Sequence, residues 1–155
     1  MRKIIIILLT LCIVISYSAI PCSADANIDV IYSGTCGNDL SWSIDSYGRL
    51  IISGEGTMED YSTDNLSPWH PFRSEILSIS IDEGVTSIGS FAFSQCSNVQ
   101  ECMVPKTISY IGSYAFKECQ SLQEISIPEG ITRVSYGCFD GCTNLETVNL
   151  PSTIE

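Results

Sequence analysis

The chain has 155 residues, of which 18 are Asp or Glu and 7 are Lys or Arg, giving a formal net charge of −11. That balance excludes an ordinary nucleic-acid binder, which needs clustered cations to displace counterions from phosphates, while a hydrophobic fraction of 45% describes a folding chain rather than a disordered one. A single histidine, His70, rules out metal sites built on two imidazoles and leaves one candidate base for a Ser or Cys nucleophile.

In chain order, Met1-Arg2-Lys3 gives a positive start, and Ile4 to Ile15 forms an apolar run shorter than the roughly 20 residues of a membrane span. Ala24-Asp25-Ala26 then supplies a small-x-small cleavage pattern, so residues 1–26 read as a signal peptide, with cleavage after Ala24 as the near alternative and an uncleaved anchor as the rival. Cleavage removes Cys12 and Cys22 and leaves Cys36, Cys96, Cys102, Cys119, Cys138 and Cys142. After it, no membrane insertion is expected, and the protein is secreted or held at the cell surface.

Residues 27–75 form a non-repeating segment. Within it, Leu40 to Ile44 and Leu50 to Ser53 alternate apolar and polar residues, and Asp45-Ser46-Tyr47-Gly48 joins them, which predicts a β-hairpin. Gly54 to Met58 and the polar stretch Ser62 to Pro68 read as loops.

Residues 76–155 are organised by an internal repeat of 23. Written beneath one another, Leu77 to Val99, Gln100 to Leu122 and Gln123 to Leu145 align without a gap: Phe93, Phe116 and Phe139 share a column, as do Cys96, Cys119 and Cys142, and Val99, Leu122 and Leu145. A fourth unit begins at Glu146, giving three full coils and a partial one. Each unit opens on a short alternating stretch such as Ile79-x-Ile81 or Ile125-x-Ile127, the period-2 mark of a half-buried strand, and Pro105, Pro128 and Pro151 end three of the four. One unit cannot bury its own apolar face, so the units must stack into a solenoid whose like columns pack on one another.

The pattern C-x2-L-x2-I-x-I-P-x2-[VI]-x2-I-G-x2-A-F-x2-C, carried by Cys119 to Cys142, resembles the BspA-like leucine-rich repeats, also called the Treponema pallidum type. Small departures are Cys102 for an Ile, Cys138 for the Ala, Asp82 for the Pro and Ser135 for the Gly. The resemblance implies a leucine-rich-repeat solenoid, β-rich and horseshoe-like in the α/β manner. The segment from Cys36 to Tyr61, followed by Ser67-Pro68-Trp69-His70-Pro71-Phe72, is similar to what precedes the first repeat in such proteins, and this implies an N-terminal β-hairpin cap over the apolar end of the solenoid. The chain stops in mid-coil, which is expected of a fragment or truncated frame, or of a short protein closed by self-association.

Chemistry is weakly represented. The Cys spacings are not those of zinc modules and no His lies near them, so no metal and no cofactor are expected. Disulfides between neighbouring coils and buried thiols acting as small hydrophobes remain the two readings of the Cys column. His70 lies near Asp60 and Asp64 in sequence, but its flanking prolines and aromatics indicate packing; the acidic pairs Glu59-Asp60 and Asp82-Glu83 read as solvated surface.

Strand alternation instead points Ser78, Ser80, Glu101, Met103, Glu124, Ser126, Thr147 and Asn149 away from the core as two side-chain ladders. Such a face offers hydrogen bonds and one soft apolar contact but no nucleophile. A non-enzymatic, secreted or cell-surface module for adhesion or protein binding is therefore expected, with a host or matrix protein or glycoprotein as ligand and no nucleic acid. The rival readings are a targeting or accessory repeat module of a larger exported hydrolase and a structural spacer.

Overall fold

The structure, a computed structural model, describes residues 29–155, so the export signal expected over residues 1–26 lies outside the described residues. The predicted hairpin forms from β2 (Leu40–Asp45) and β3 (Arg49–Gly54), antiparallel with Ile44 opposite Leu50. Trp42, Ile44, Leu50 and Ile52 point inward and are buried, as alternation requires. Asp45 organises the turn: its buried carboxylate accepts hydrogen bonds from the Tyr47 and Arg49 amides at 2.9 and 3.0 Å and from Arg49 Nε at 3.1 Å. Gly48 completes it at φ 74°, where a Cβ would lie 2.5 Å from the Glu75 carbonyl oxygen.

The hairpin is only part of the N-terminal layer. A further strand, β1 (Val30–Thr35), pairs antiparallel with β2 and makes a three-stranded meander. It lay outside the sequence expectation because it is almost wholly exposed and shows no apolar alternation. Gly34 lets it lie beneath the Trp42 indole, which a Cβ there would meet at 2.8 Å.

Beyond the meander the chain coils. β3 pairs parallel with β5 (Ser78–Ile81), Leu50 opposite Ile79, and β5 with β7 (Glu101–Met103), Ile79 opposite Cys102. β9 (Glu124–Ser126) pairs parallel with β10 (Thr147–Asn149), Ile125 opposite Val148. A second, smaller sheet runs along the return path: β4 (Gly56–Thr57), inside the stretch read as loop, then β6 (Val85–Ile88) and β8 (Tyr110–Ile111). Among the described residues the sole helical element is a 3-10 turn at His70–Phe72, so the coils return through turns and the fold is β-rich.

Between the sheets lies one core, built as columns. Phe93 stacks on Phe116 at 5.3 Å and Phe116 on Phe139 at 5.8 Å between ring centroids. Trp69 extends the aromatic column toward the N-terminus, 5.7 Å from Phe93, with its indole N–H donating to the Ala92 carbonyl at 2.8 Å. Ile79, Val85, Ile88, Val99, Ile108, Ile111, Leu122 and Ile125 are buried around this axis, whereas Phe139, Leu145 and Val148 in the last coils are only partly covered.

Tight corners join each strand pair to the next coil. Phe91, Gln95, Tyr114 and Glu118 adopt left-handed φ of 54° to 64°, and the aligned residues of the third coil are Gly137 and Gly141, also at positive φ. The corner therefore demands a left-handed backbone at two fixed columns, whichever side chain they carry.

Candidate functional site

The outer face of the large sheet is the most extended feature available for recognition. Parallel register aligns Arg49, Ser78 and Glu101 in one ladder and Ile51, Ser80 and Met103 in the next. Across β9 and β10 the same ladders continue as Glu124 with Thr147 and Ser126 with Asn149. Glu101, Met103, Glu124, Ser126, Thr147 and Asn149 are exposed, Ser78 and Ser80 half-buried, and Met103 is 59% accessible.

Some of these side chains already engage one another. The Asn149 amide donates to Glu124 Oε1 at 2.7 Å and to Ser126 Oγ at 3.1 Å, which fixes the lower end of the face. Sequence reasoning ended the face at β5 and missed its extension onto the meander, where Ser41, Ser43, Arg49, Ile51 and Ser53 point the same way on β2 and β3. The signal was the alternation already used to identify the hairpin; what it lacked was the parallel pairing of β3 with β5.

The face is not continuous. No ladder joins β7 to β9, which belong to separate sheets. A cleft of about 530 Å³ lies between them, with Glu101, Met103, Glu124 and Ser126 at its rim.

The catalytic candidates disperse. The His70 ring lies 3.3 Å from Gln95 Oε1, and Asp60 accepts a 2.7 Å hydrogen bond from the Ser90 amide instead of orienting the imidazole. Among the described residues all six cysteines carry free thiols, Cys142 half-exposed and the rest buried. Cys119 donates to the Phe93 carbonyl at 3.2 Å and Cys142 to the Phe116 carbonyl at 3.0 Å, so each thiol caps a carbonyl of the preceding coil. Burial pushes the Cys96 thiol up to about 12 against a partial offset from Arg73, and the Cys138 thiol to about 12 with Cys142 adding to the rise. Such thiols are protonated near neutrality and poor nucleophiles. Among the described residues no group of three or more His, Cys, Asp or Glu is placed to hold a metal ion, and no helix is long and apolar enough to cross a membrane.

The comparisons with known proteins concern this same architecture. Among solved structures, a leucine-rich repeat protein from Eubacterium ventriosum superposes with a TM-score of 0.60 at 22% identity, over 79% of this chain and 45% of that one. A leucine rich cell surface protein from Faecalibacterium prausnitzii matches at TM-score 0.46 and 20% identity, over 81% and 44% of the two chains. The leucine-rich repeat protein of T. pallidum matches at 0.41 and 16%, over 76% and 83%. This chain thus spans under half the length of the first two. No curated protein matches. The family model described as "BspA type Leucine rich repeat region (6 copies)" matches residues 72–155, more than half of the sequence, and its span coincides with the stacked coils: the chain belongs to the BspA-type leucine-rich repeat family.

Proposed function

We propose that the chain is a secreted or cell-surface, non-catalytic module that binds a protein or glycoprotein, from host or matrix, through the outer strand face formed by its large sheet together with β9 and β10. In this reading residues 1–26 are removed on export, residues 27–75 form an N-terminal β cap, and residues 76–155 form a horseshoe-like solenoid of 23-residue repeats. The observation that carries it is the pair of side-chain ladders from Ser78 and Ser80 through Glu101 and Met103 on the large sheet, resumed by Glu124, Ser126, Thr147 and Asn149 on β9 and β10. Solenoids use such extended surfaces for recognition. Few coils supply little contact area, so the affinity is expected to be weak and to grow when copies are linked.

The test is binding to a panel of purified extracellular-matrix glycoproteins by the wild type and by the double variant Met103→Lys, Glu124→Ala. Both side chains are exposed, so the melting temperature should hold while binding disappears. Binding kept by the double variant and lost on removing the meander would transfer the site to the cap.

A further inference from the structure

We propose that the junction between the second coil (residues 100–122) and the third (residues 123–145) is a hinge that opens the cleft in the strand face. The inference rests on comparing three junctions built from one repeat.

Between the first coil (residues 77–99) and the second, both sides of the solenoid are laced. β5 and β7 form a ladder preceded by the Gln100 amide donating to the Leu77 carbonyl at 2.9 Å. On the return side, the Ser109 and Gly112 amides donate to the Thr86 and Ile88 carbonyls at 2.9 and 2.8 Å, and the Thr107 hydroxyl to the Val85 carbonyl at 2.8 Å. The third and fourth coils repeat this scheme: β9 pairs with β10, the Glu155 amide reaches the Thr132 carbonyl at 2.9 Å, and the Thr153 hydroxyl reaches the Ile131 carbonyl at 2.8 Å.

Between the second and third coils the backbone-to-backbone bonds close the corner alone, with the Tyr114, Phe116 and Glu118 amides donating to Tyr136, Cys138 and Asp140 carbonyls at 3.0, 2.9 and 2.7 Å. Neither the strand ladder nor the return ladder is present there. Openings flank the closed corner on both sides, the one between β7 and β9 and another lined by Tyr110, Ser113 and Arg133 to Tyr136.

The cause lies in column departures. At the Gly column, a Cβ on Gly112 would fall 2.3 Å from the Ser90 amide nitrogen, and one on Gly89 would fall 1.8 Å from the Glu59 carbonyl oxygen. Those two coils approach their predecessors so closely that only glycine fits. The third coil carries Ser135 here, so its backbone must stand off, and the Ser135 hydroxyl reaches the Ile111 carbonyl that the backbone amide cannot. At the Thr107 and Thr153 column the third coil has Gly130, which brings no hydroxyl to bridge the gap. On the strand side, Cys102 fills the column that Ile79 and Ile125 occupy, and its shorter side chain supports β7 less fully. A junction with backbone bonds along one edge, a lone side-chain hydroxyl bond along the second and no ladder along the third is the geometry of a hinge, and opening it widens the rim between Glu101 and Glu124.

Amide hydrogen exchange on the full chain, without any ligand, tests this independently of the binding reading. The Gln123 and Ser135 amides are expected to exchange at least about tenfold faster than Gln100 and Gly112, their counterparts one coil earlier. Ser135→Gly should slow exchange at residue 135 and neighbouring return-side amides toward the Gly112 rate, and Cys102→Ile should do the same on the strand side at Gln123. Equal protection at all three junctions in the wild type would overturn the hinge, as would fast exchange that persists in both variants. If Cys102→Ile overpacks the core and lowers the melting temperature, Ser135→Gly, which only removes atoms, still decides.

Discussion

Phe116 shows how a repeat converts sequence spacing into stability. It is fully buried, with Phe93 stacked on one side and Phe139 on the other, so removing its ring opens a cavity that neither neighbour can fill. Phe116→Ala is expected to lower the unfolding free energy by about 3–5 kcal/mol in urea melts, whereas Ser126→Ala on the open face should stay within about 0.5 kcal/mol. Equal losses would mean that the inward and outward faces are exchanged. The column was legible because 23-residue spacing repeats one residue type. Its first member was not, because Trp69 differs in type and stands 24 rather than 23 residues before Phe93. The buried thiols make a second residue-scale expectation. Cys96 stays protonated up to about 12 in the folded state, while the unfolded thiol ionises near 9, so folding stability is intact below pH 9 and falls between pH 9 and 12. Each such thiol adds a slope of about 1.4 kcal/mol per pH unit across that window. Denaturant melts at pH 7, 9 and 10.5 should show the decline, and Cys96→Ala should lessen its slope by about 1.4 kcal/mol per pH unit; an unchanged slope would assign the alkaline loss to other groups.

Individual elements were readable where apolar alternation meets a turn and obscure where pairing alone makes the strand. β2 and β3 announce themselves through Trp42, Ile44, Leu50 and Ile52, but β1 presents mostly exposed side chains and is held by its hydrogen bonds to β2 and by Tyr32 stacked on Phe72 at 3.7 Å. The outward positions of the strand face follow from the same alternation, so their placement could be derived residue by residue. The break between β7 and β9 could not, since it depends on how closely two backbones approach; Cys102 in an Ile column on the strand side and Ser135 in a Gly column on the return side were the visible departures at that junction. Asp45 decides whether the meander forms with its proper register. Its carboxylate is buried and satisfies two turn amides and the Arg49 guanidinium at once. Asp45→Ala leaves those donors without an acceptor and is expected to destabilise by about 2–4 kcal/mol. Urea melts followed by tryptophan fluorescence report this directly, because Trp42 lies on β2. A loss below about 1 kcal/mol would mean that water replaces the carboxylate and that Gly48 alone sets the turn.

At the scale of the whole molecule, a solenoid is held by interfaces between nearest neighbours, and its weakest interface sets where it comes apart. The meander and the first two coils share laced strands, a continuous aromatic column from Trp69 to Phe116 and the most deeply buried side chains. The third and fourth coils are laced to each other but joined to the rest mainly at the corner, and their core residues Phe139, Leu145 and Val148 are only partly covered. Unfolding should therefore proceed in two steps, the C-terminal coils melting first and the N-terminal body second. The two tryptophans, Trp42 and Trp69, both lie in the N-terminal body, so their fluorescence is blind to the first step, whereas far-ultraviolet circular dichroism sees both. In a urea titration the circular dichroism signal is expected to begin falling at lower denaturant than the fluorescence, and Ser135→Gly should draw the two curves together by lacing the junction. Coincident curves in the wild type would show that the corner bonds of Tyr114, Phe116 and Glu118, with the stacked Phe116 and Phe139 rings, couple the halves as tightly as a full ladder does.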